Sequence, residues 1–135
     1  MKILELTNYS AGGCGVFSRV LQESVELTKK GHEVRIFSSN LEKGTNNLIK
    51  AEDSNSGVVI KRFNAWRLGG ESYMSWFGKK AFQEALLFAP DIVIAHSYRH
   101  KHTIKALNLK KKLGCKVFLV THAPFVKDRP LFPRM

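Results

Sequence analysis

Short apolar runs alternate with longer amphipathic stretches along the chain. Lys2 to Leu6 predicts a strand, closed by the polar turn Thr7-Asn8-Tyr9-Ser10. Phe17, Val20, Leu21 and Val25 fall at helical spacing and predict an amphipathic helix over about 15–30. Lys29 and Lys30 sit in its last turn, where positive charge suits the helix dipole, and Gly31 caps it. Glu33 to Phe37 is the next strand. The polar stretch 40–57, rich in Asn, Ser, Gly and Lys, reads as a mobile loop, and Val58-Val59-Ile60 as a short third strand. Residues 64–72 read as irregular. Tyr73 to Phe88 reads as a second helix with Phe77, Ala81, Phe82, Ala85 and Leu86 on one stripe, ended by Pro90. Asp91 to Ala95 is a near-continuous apolar run, as in a strand covered on both faces. His100 to Leu113 predicts a third helix, stopped by Gly114, and Lys116 to Val120 a fifth strand. Strands alternating with helices of this length imply βαβ units and a Rossmann-like parallel sheet with helices on its faces.

Composition narrows the class. The chain has 135 residues, 44% of them hydrophobic, which is enough to fill the core of one domain or part of one. Its formal net charge of +11 favours anionic partners: a phosphate-bearing ligand, nucleic acid or a membrane surface. Two cysteines, Cys14 and Cys115, make no disulfide framework and read as free thiols in a reducing compartment. No run approaches the roughly 18 apolar residues of a membrane span. Glu5 interrupts the only stretch that could begin a secretory signal. The expected location is cytoplasmic, with peripheral contact at the inner membrane face left open. Phe125 to Met135 has Pro130 and Pro133 and no periodicity, so the chain reads as the front part of a longer protein.

The candidate chemistry gathers where the strands end. Gly12, Gly13, Cys14 and Gly15 form a turn of little bulk between the first strand and first helix. Such a turn lets backbone N–H groups approach a phosphate or sugar, and the following helix aims its positive end at the same spot. Gly13 to Ser18 nearly matches G-x-G-x-x-G but ends in serine, and the second strand ends Phe37-Ser38-Ser39-Asn40 without a carboxylate for a ribose diol. NAD binding is therefore disfavoured. There is no G-x-x-x-x-G-K-[ST] loop for a P-loop enzyme. His96 and Ser97 follow the fourth strand and His122 follows the fifth. Ligands of open parallel sheets bind at the carboxyl ends of strands, so both histidines share a rim with the glycine turn. Each could donate to a sugar hydroxyl or phosphate or act as a base; the alternative, a capping or core histidine, weighs more for His96 than for His122, where Pro124 suggests a shaped turn.

Other features weigh less. His100 and His102 flank Lys101 and, with His96, offer metal-like spacing, but no nearby carboxylate or cysteine in sequence completes a site, and Lys101 would repel a cation. No metal is expected. Cys14 lies at a helix N-terminus, which lowers a thiol pKa, yet nothing in the sequence pairs it with a base; Cys115 reads as core. Arg99, Lys101, Lys105, Lys110, Lys111 and Lys112 crowd one helix. They form either a solvated face or a surface for anionic lipid or a phosphorylated substrate. Aromatics do not interleave with that run and no recognised motif is present, so nucleic acid is not expected. Tyr73 to Lys80 pairs aromatics with lysines and suggests a membrane-interface segment, with a core helix carrying snorkelling lysines as the simpler reading.

Taken together, these segments resemble the N-terminal part of a GT-B glycosyltransferase of glycosyltransferase family 4, the group 1 transferases. The likeness rests on Met1-Lys2-Ile3-Leu4 opening a strand, Gly12-Gly13, and the helix from Val16 to Thr28. It continues through Lys30-Gly31-His32-Glu33-Val34, Pro90 to Ser97, and Val120-Thr121-His122, in order over most of residues 1–124. The resemblance implies a retaining transfer of a sugar from a nucleotide-sugar donor to a sugar or lipid-linked acceptor, without a metal or other cofactor. It implies a place near the donor diphosphate and transferred sugar for the loop matching Gly12 and Gly13, and a sugar-contacting role at the reacting centre for His122; Cys14, Gly15, His96 and Ser97 join them as substrate- or donor-binding candidates from their place at the strand ends. Residues 1–135 would be an incomplete acceptor-side domain. The donor-binding domain with its paired glutamates would be absent, leaving the fragment inactive alone. The competing expectation is a non-enzymatic Rossmann-like module that binds anionic partners through its basic surface.

Overall fold

The computed structural model describes residues 1–12, 15–45, 47–67, 74–96 and 101–121. In chain order the elements are β1 (Lys2–Leu6), α1 (Gly15–Lys29), β2 (Glu33–Ser39), β3 (Glu52–Asn55), β4 (Val58–Phe63), β5 (Trp66–Arg67), β6 (Met74–Ser75), α2 (Lys79–Phe88), β7 (Ile92–His96), α3 (Lys101–Leu113) and β8 (Lys116–Val120). The main sheet has the order β3-β4-β2-β1-β7-β8. Every pair in it is parallel except β3–β4. The strand order reverses beside β1, which pairs with β2 on one side and β7 on the other. This is the doubly wound arrangement expected from the sequence.

Side-chain alternation splits the core into two layers. Ile3, Val34, Ile36, Val58 and Ile60 form one layer with Val20, and Ile92 and Ile94 pack against it. Leu4, Leu6, Phe37, Phe63, Val93 and Ala95 form the other, with Ala81, Ala85 and Phe88 of α2 and Ala106 and Leu109 of α3. By this parity Glu5 and His96, in step with Ile3 and with Ile92 and Ile94, belong to the α1 face. Leu6 pairs with Ala95, so the carboxyl ends of β1 and β7 lie side by side.

Three expectations fail, one of them that residues 64–72 are irregular: Trp66–Arg67 is a short strand. Residues 40–57 are not loop throughout: Glu52–Asn55 is an antiparallel edge strand, joined to β4 by a two-residue turn at Ser56 and Gly57, both with positive φ. That is the turn chemistry of a tight hairpin. The strand is polar because it is an exposed edge, so hydrophobic pattern did not reveal it. Nor does α2 begin at Tyr73. It starts at Lys79 after Gly78, and Met74–Ser75 is a short strand paired with Trp66–Arg67. Gly78 breaks the helical pattern, and Trp76 and Phe77 enter the core ahead of the helix, outside any regular element. Their burial places Trp76 and Phe77 in the core rather than on a surface face, while Tyr73 lies outside the described residues. The strand expected at Val58–Ile60 runs on to Phe63, and Cys115 is buried as expected.

Candidate functional site at the carboxyl rim

The segment following β1 is fastened to the sheet. Thr7, Asn8, Tyr9 and Ser10 are all buried. The Asn8 carbonyl accepts from the Ser39 hydroxyl at 2.6 Å and from the Ser39 backbone N–H at 3.1 Å. Trp76 Nε1 donates to Asn8 Oδ1 at 3.2 Å. Arg62, on β4, donates to the Ser10 hydroxyl at 2.7 Å and to the Ser10 carbonyl at 3.1 Å. The turn into α1 therefore leaves a rigid support.

Gly12 continues that support. Its φ is +86°, and a Cβ there would stand 2.8 Å from the Lys43 backbone nitrogen and 2.9 Å from the Lys43 carbonyl oxygen. Gly12 and Lys43 form a parallel bridge. Close backbone approach, as well as any ligand, thus accounts for glycine at this position. Gly12→Ala is expected to lose about 1–3 kcal/mol, the scale of a residue forced into a sparsely populated conformation. Urea denaturation of the two chains checks this. Gly15 opens α1 and has open space where a Cβ would be. Gly13, Cys14, Ser97 and His122 lie outside the described residues.

His96 is the last residue of β7 and is 3% exposed. Its Nε2 lies 2.6 Å from Oε1 of Glu5, a carboxylate with no exposed surface in the middle of β1. The other oxygen of Glu5 accepts from the Ser24 hydroxyl of α1 at 2.6 Å. Glu23, next to Ser24, also hydrogen-bonds Glu5 and lies 3.8 Å from His96 Nε2. From the opposite layer, His102 Nε2 donates to the His96 carbonyl at 2.7 Å. Burial holds the Glu5 carboxyl above its ordinary range, against hydrogen bonds from Glu23 and Ser24 that pull it down. Burial likewise pushes the His96 imidazole below its ordinary range, opposed by the Glu23 carboxylate.

His96 opens onto a cavity of about 470 Å³ between α1 and the ends of β7 and β8. Arg19, Gln22 and Glu23 form its helix wall, and Val120 and Thr121 its sheet wall. Glu26 adds a second carboxylate at its edge. Thr121, which directly precedes His122, therefore borders the same space as His96. This local wall is acidic with one guanidinium, although the chain as a whole is strongly basic. A second cavity, of about 460 Å³, lies at the ends of β2 and β4 beside the start of α2, with Asn40, Asn64, Lys79 and Lys80 among its lining.

Sequence spacing shows no carboxylate beside His96; the fold corrects this by bringing two. Among the described residues, Glu5, Glu23 and His96 each offer a ligand atom within 4.8 Å of the others and are the group that could hold a metal ion. The short hydrogen bonds to Ser24 and His96 already satisfy both oxygens of Glu5. Glu5, Ser24, Glu23 and Arg19 were absent from the sequence-derived site. Glu5 carried a signal: an ionisable residue inside a run otherwise suited to two-sided burial needs a partner.

The Rossmann-like sheet collects polar side chains at the carboxyl ends of its strands, the place where open α/β sheets take their ligands. Comparison with known proteins makes the class specific. The family model described as Glycosyltransferase Family 4 matches residues 13–135, and the chain belongs to that family. No curated protein sequence matches. Among solved structures, sucrose-phosphate synthase from Thermosynechococcus elongatus is similar with a TM-score of 0.62 at 10% identity, over 90% of this chain and 33% of that one. A second structure of that synthase gives 0.58 at 10% identity, over 91% of this chain and 64% of the other. The chain thus spans a third of the length of the first and less than two thirds of the second. The shared fold is the Rossmann-like α/β fold of GT-B glycosyltransferases.

Proposed function

We propose that this chain is the acceptor-side part of a retaining glycosyltransferase that moves a sugar from a nucleotide-sugar donor to a sugar or lipid-linked acceptor, with no metal or other cofactor. Family membership supports the reaction class. The observation that carries the local reading is the cavity beside His96, open at the carboxyl ends of adjacent parallel strands. Its mixture of carboxylate, amide, guanidinium and hydroxyl groups suits the hydroxyls of a sugar. Gly12, Gly13, Cys14 and Gly15 serve the donor diphosphate side, where backbone N–H groups and the start of α1 favour negative charge. Ser97 and His96 contact sugar, and His122 serves the reacting centre. Fixed donors there stabilise charge that develops as the diphosphate leaves.

The test uses the polypeptide encoded by the complete gene beside the 135-residue chain. The complete protein is expected to hydrolyse or transfer from a UDP-, GDP- or ADP-sugar, and the 135-residue chain to do neither. His122→Ala should lower kcat/KM by about 10²–10³-fold, the scale of losing one transition-state donor. No turnover with any such donor, together with an inert His122→Ala substitution, would sink the reading. A second reading, a non-enzymatic module for anionic partners, is favoured by α3, where Lys105, Lys110, Lys111 and Lys112 are exposed and no acid occurs. Salt-sensitive sedimentation with anionic vesicles, without sugar transfer by the complete protein, would select it.

A further inference from the structure

We propose that the second rim cavity, of about 460 Å³ at the ends of β2 and β4, is a binding subsite for the phosphate of a phosphorylated sugar. Its charge comes from two elements. β4 supplies Arg62, and the start of α2 supplies Lys79 and Lys80. No carboxylate lines the cavity among the described residues. The cavity beside His96 has the opposite character, with Glu23 and Glu26 against one guanidinium. Arg62 is built into the fold: its side chain is 4% exposed, and Ser10 and the Lys50 carbonyl hold it in place. Its acidic neighbour, Asp53, stands 3.6 Å from Nη1 and is partly exposed. Neither Lys79 nor Lys80 is within ion-pair distance of a carboxylate among the described residues. Glu84, one turn further along α2, is held by Lys61 at 2.8 Å.

The lining suits a sugar phosphate in both of its parts. Two lysines in the first turn of α2 sit where the helix dipole disfavours positive charge, and no acid stands in that turn to compensate. A bound phosphate offsets that repulsion, and a fixed guanidinium beside ammonium groups is the donor set that phosphate oxygens select. The other wall fits a sugar ring. Asn40 Nδ2 donates to Asn64 Oδ1 at 3.0 Å, which leaves the Asn64 amide nitrogen to meet a hydroxyl. Phe63 and Trp76 add an apolar surface for the C–H face of the ring. The recess also decides between a soluble ligand and a membrane. A flat anionic surface would meet the exposed Lys79 and Lys80 but not the buried Arg62, whereas a sugar phosphate inside the cavity meets all three.

This inference deepens the proposed acceptor-side reading and rests on it only for calling the sugar phosphate the acceptor. The test is binding by the 135-residue chain, followed by amide NMR with glucose 6-phosphate, glucose and inorganic phosphate as probes. Glucose 6-phosphate is expected to shift the amides of Asn40, Asn64, Lys79 and Lys80. Inorganic phosphate should shift the same amides more weakly, and glucose should leave them in place. Lys79→Gln combined with Lys80→Gln should weaken glucose 6-phosphate binding by roughly tenfold or more, the scale of losing charge-assisted bonds to an oxyanion. Lys29→Gln combined with Lys30→Gln removes the same charge from exposed positions at the far end of α1 and should change binding by less than about twofold. All four lysines are exposed, so neither pair of substitutions disturbs the core. Equal weakening by the two pairs overturns the proposal, because it assigns binding to the net charge of +11. So does equal binding of glucose and glucose 6-phosphate, or no shift with glucose 6-phosphate. Phosphatidylinositol vesicles that bind through Lys79 and Lys80 while glucose 6-phosphate does not also overturn it, by assigning the lysines to a membrane surface. Failure of the complete protein to transfer sugar would leave these readouts unchanged.

Discussion

His96→Ala is expected to destabilise the chain by about 3–5 kcal/mol at neutral pH, the cost of leaving a buried carboxylate without its partner. The reason is Glu5. Its carboxylate has no exposed surface and loses the 2.6 Å donor on Oε1, while Ser24 still serves Oε2. The loss should shrink in acid, where Glu5 takes up a proton and becomes neutral. The signs can be separated in two variants. Glu5 has a folded-state pKa raised above the ordinary 4.5, so the folded chain holds a proton that the unfolded chain releases. Its contribution is present below 4.5 and is lost as pH rises toward the raised value. His96 has a folded-state pKa lowered below the ordinary 6.5, so the unfolded chain binds the extra proton. Its contribution grows as pH rises from the lowered value to 6.5. In the native chain the two slopes oppose each other. His96→Gln should leave stability falling with pH through the Glu5 window, and Glu5→Gln should leave it rising through the His96 window. Urea midpoints at several pH values measure both slopes, and parallel profiles in the two variants would contradict the assignment.

The doubly wound sheet was legible because its signals are local. A strand covered on both faces reads as an apolar run, and α1 shows helical spacing over several turns. His96 was legible as a rim residue for the same reason: it ends such a run. What it touches was not legible. Glu5 and His96 are 91 positions apart and meet only because β1 and β7 pair in register. Ser24 was invisible for a different reason. It lies on the same stripe of α1 as Val20, and a buried serine at a core position makes sense only over the carboxylate it serves. The hairpin at 52–63 and the start of α2 were misread where pattern competed with backbone chemistry. Gly57 marks a turn and Gly78 a break, and both outweighed the composition around them.

Trp76→Ala is expected to be of the same size, about 3–5 kcal/mol, as for a large buried aromatic truncated in place. Trp76 is 3% exposed and sits among three rings, with centroids 6.3 Å from Phe63, 5.3 Å from Phe77 and 5.4 Å from His102. Its removal strips packing from both the end of β4 and the start of α3. It also removes the indole donor to Asn8, and hence one tie holding the segment that leads to Gly12. Trp76→Phe separates these parts, because it keeps most of the buried ring and loses the hydrogen bond, with an expected loss near 1 kcal/mol. In a Trp66→Phe background, Trp76 fluorescence should be blue-shifted and unmoved by anionic vesicles. A surface segment would give the opposite pattern: a loss below about 0.5 kcal/mol on truncation and an emission that follows lipid. The two measurements together decide whether the aromatics at 76 and 77 belong to the core that supports the rim or to a face that meets a membrane.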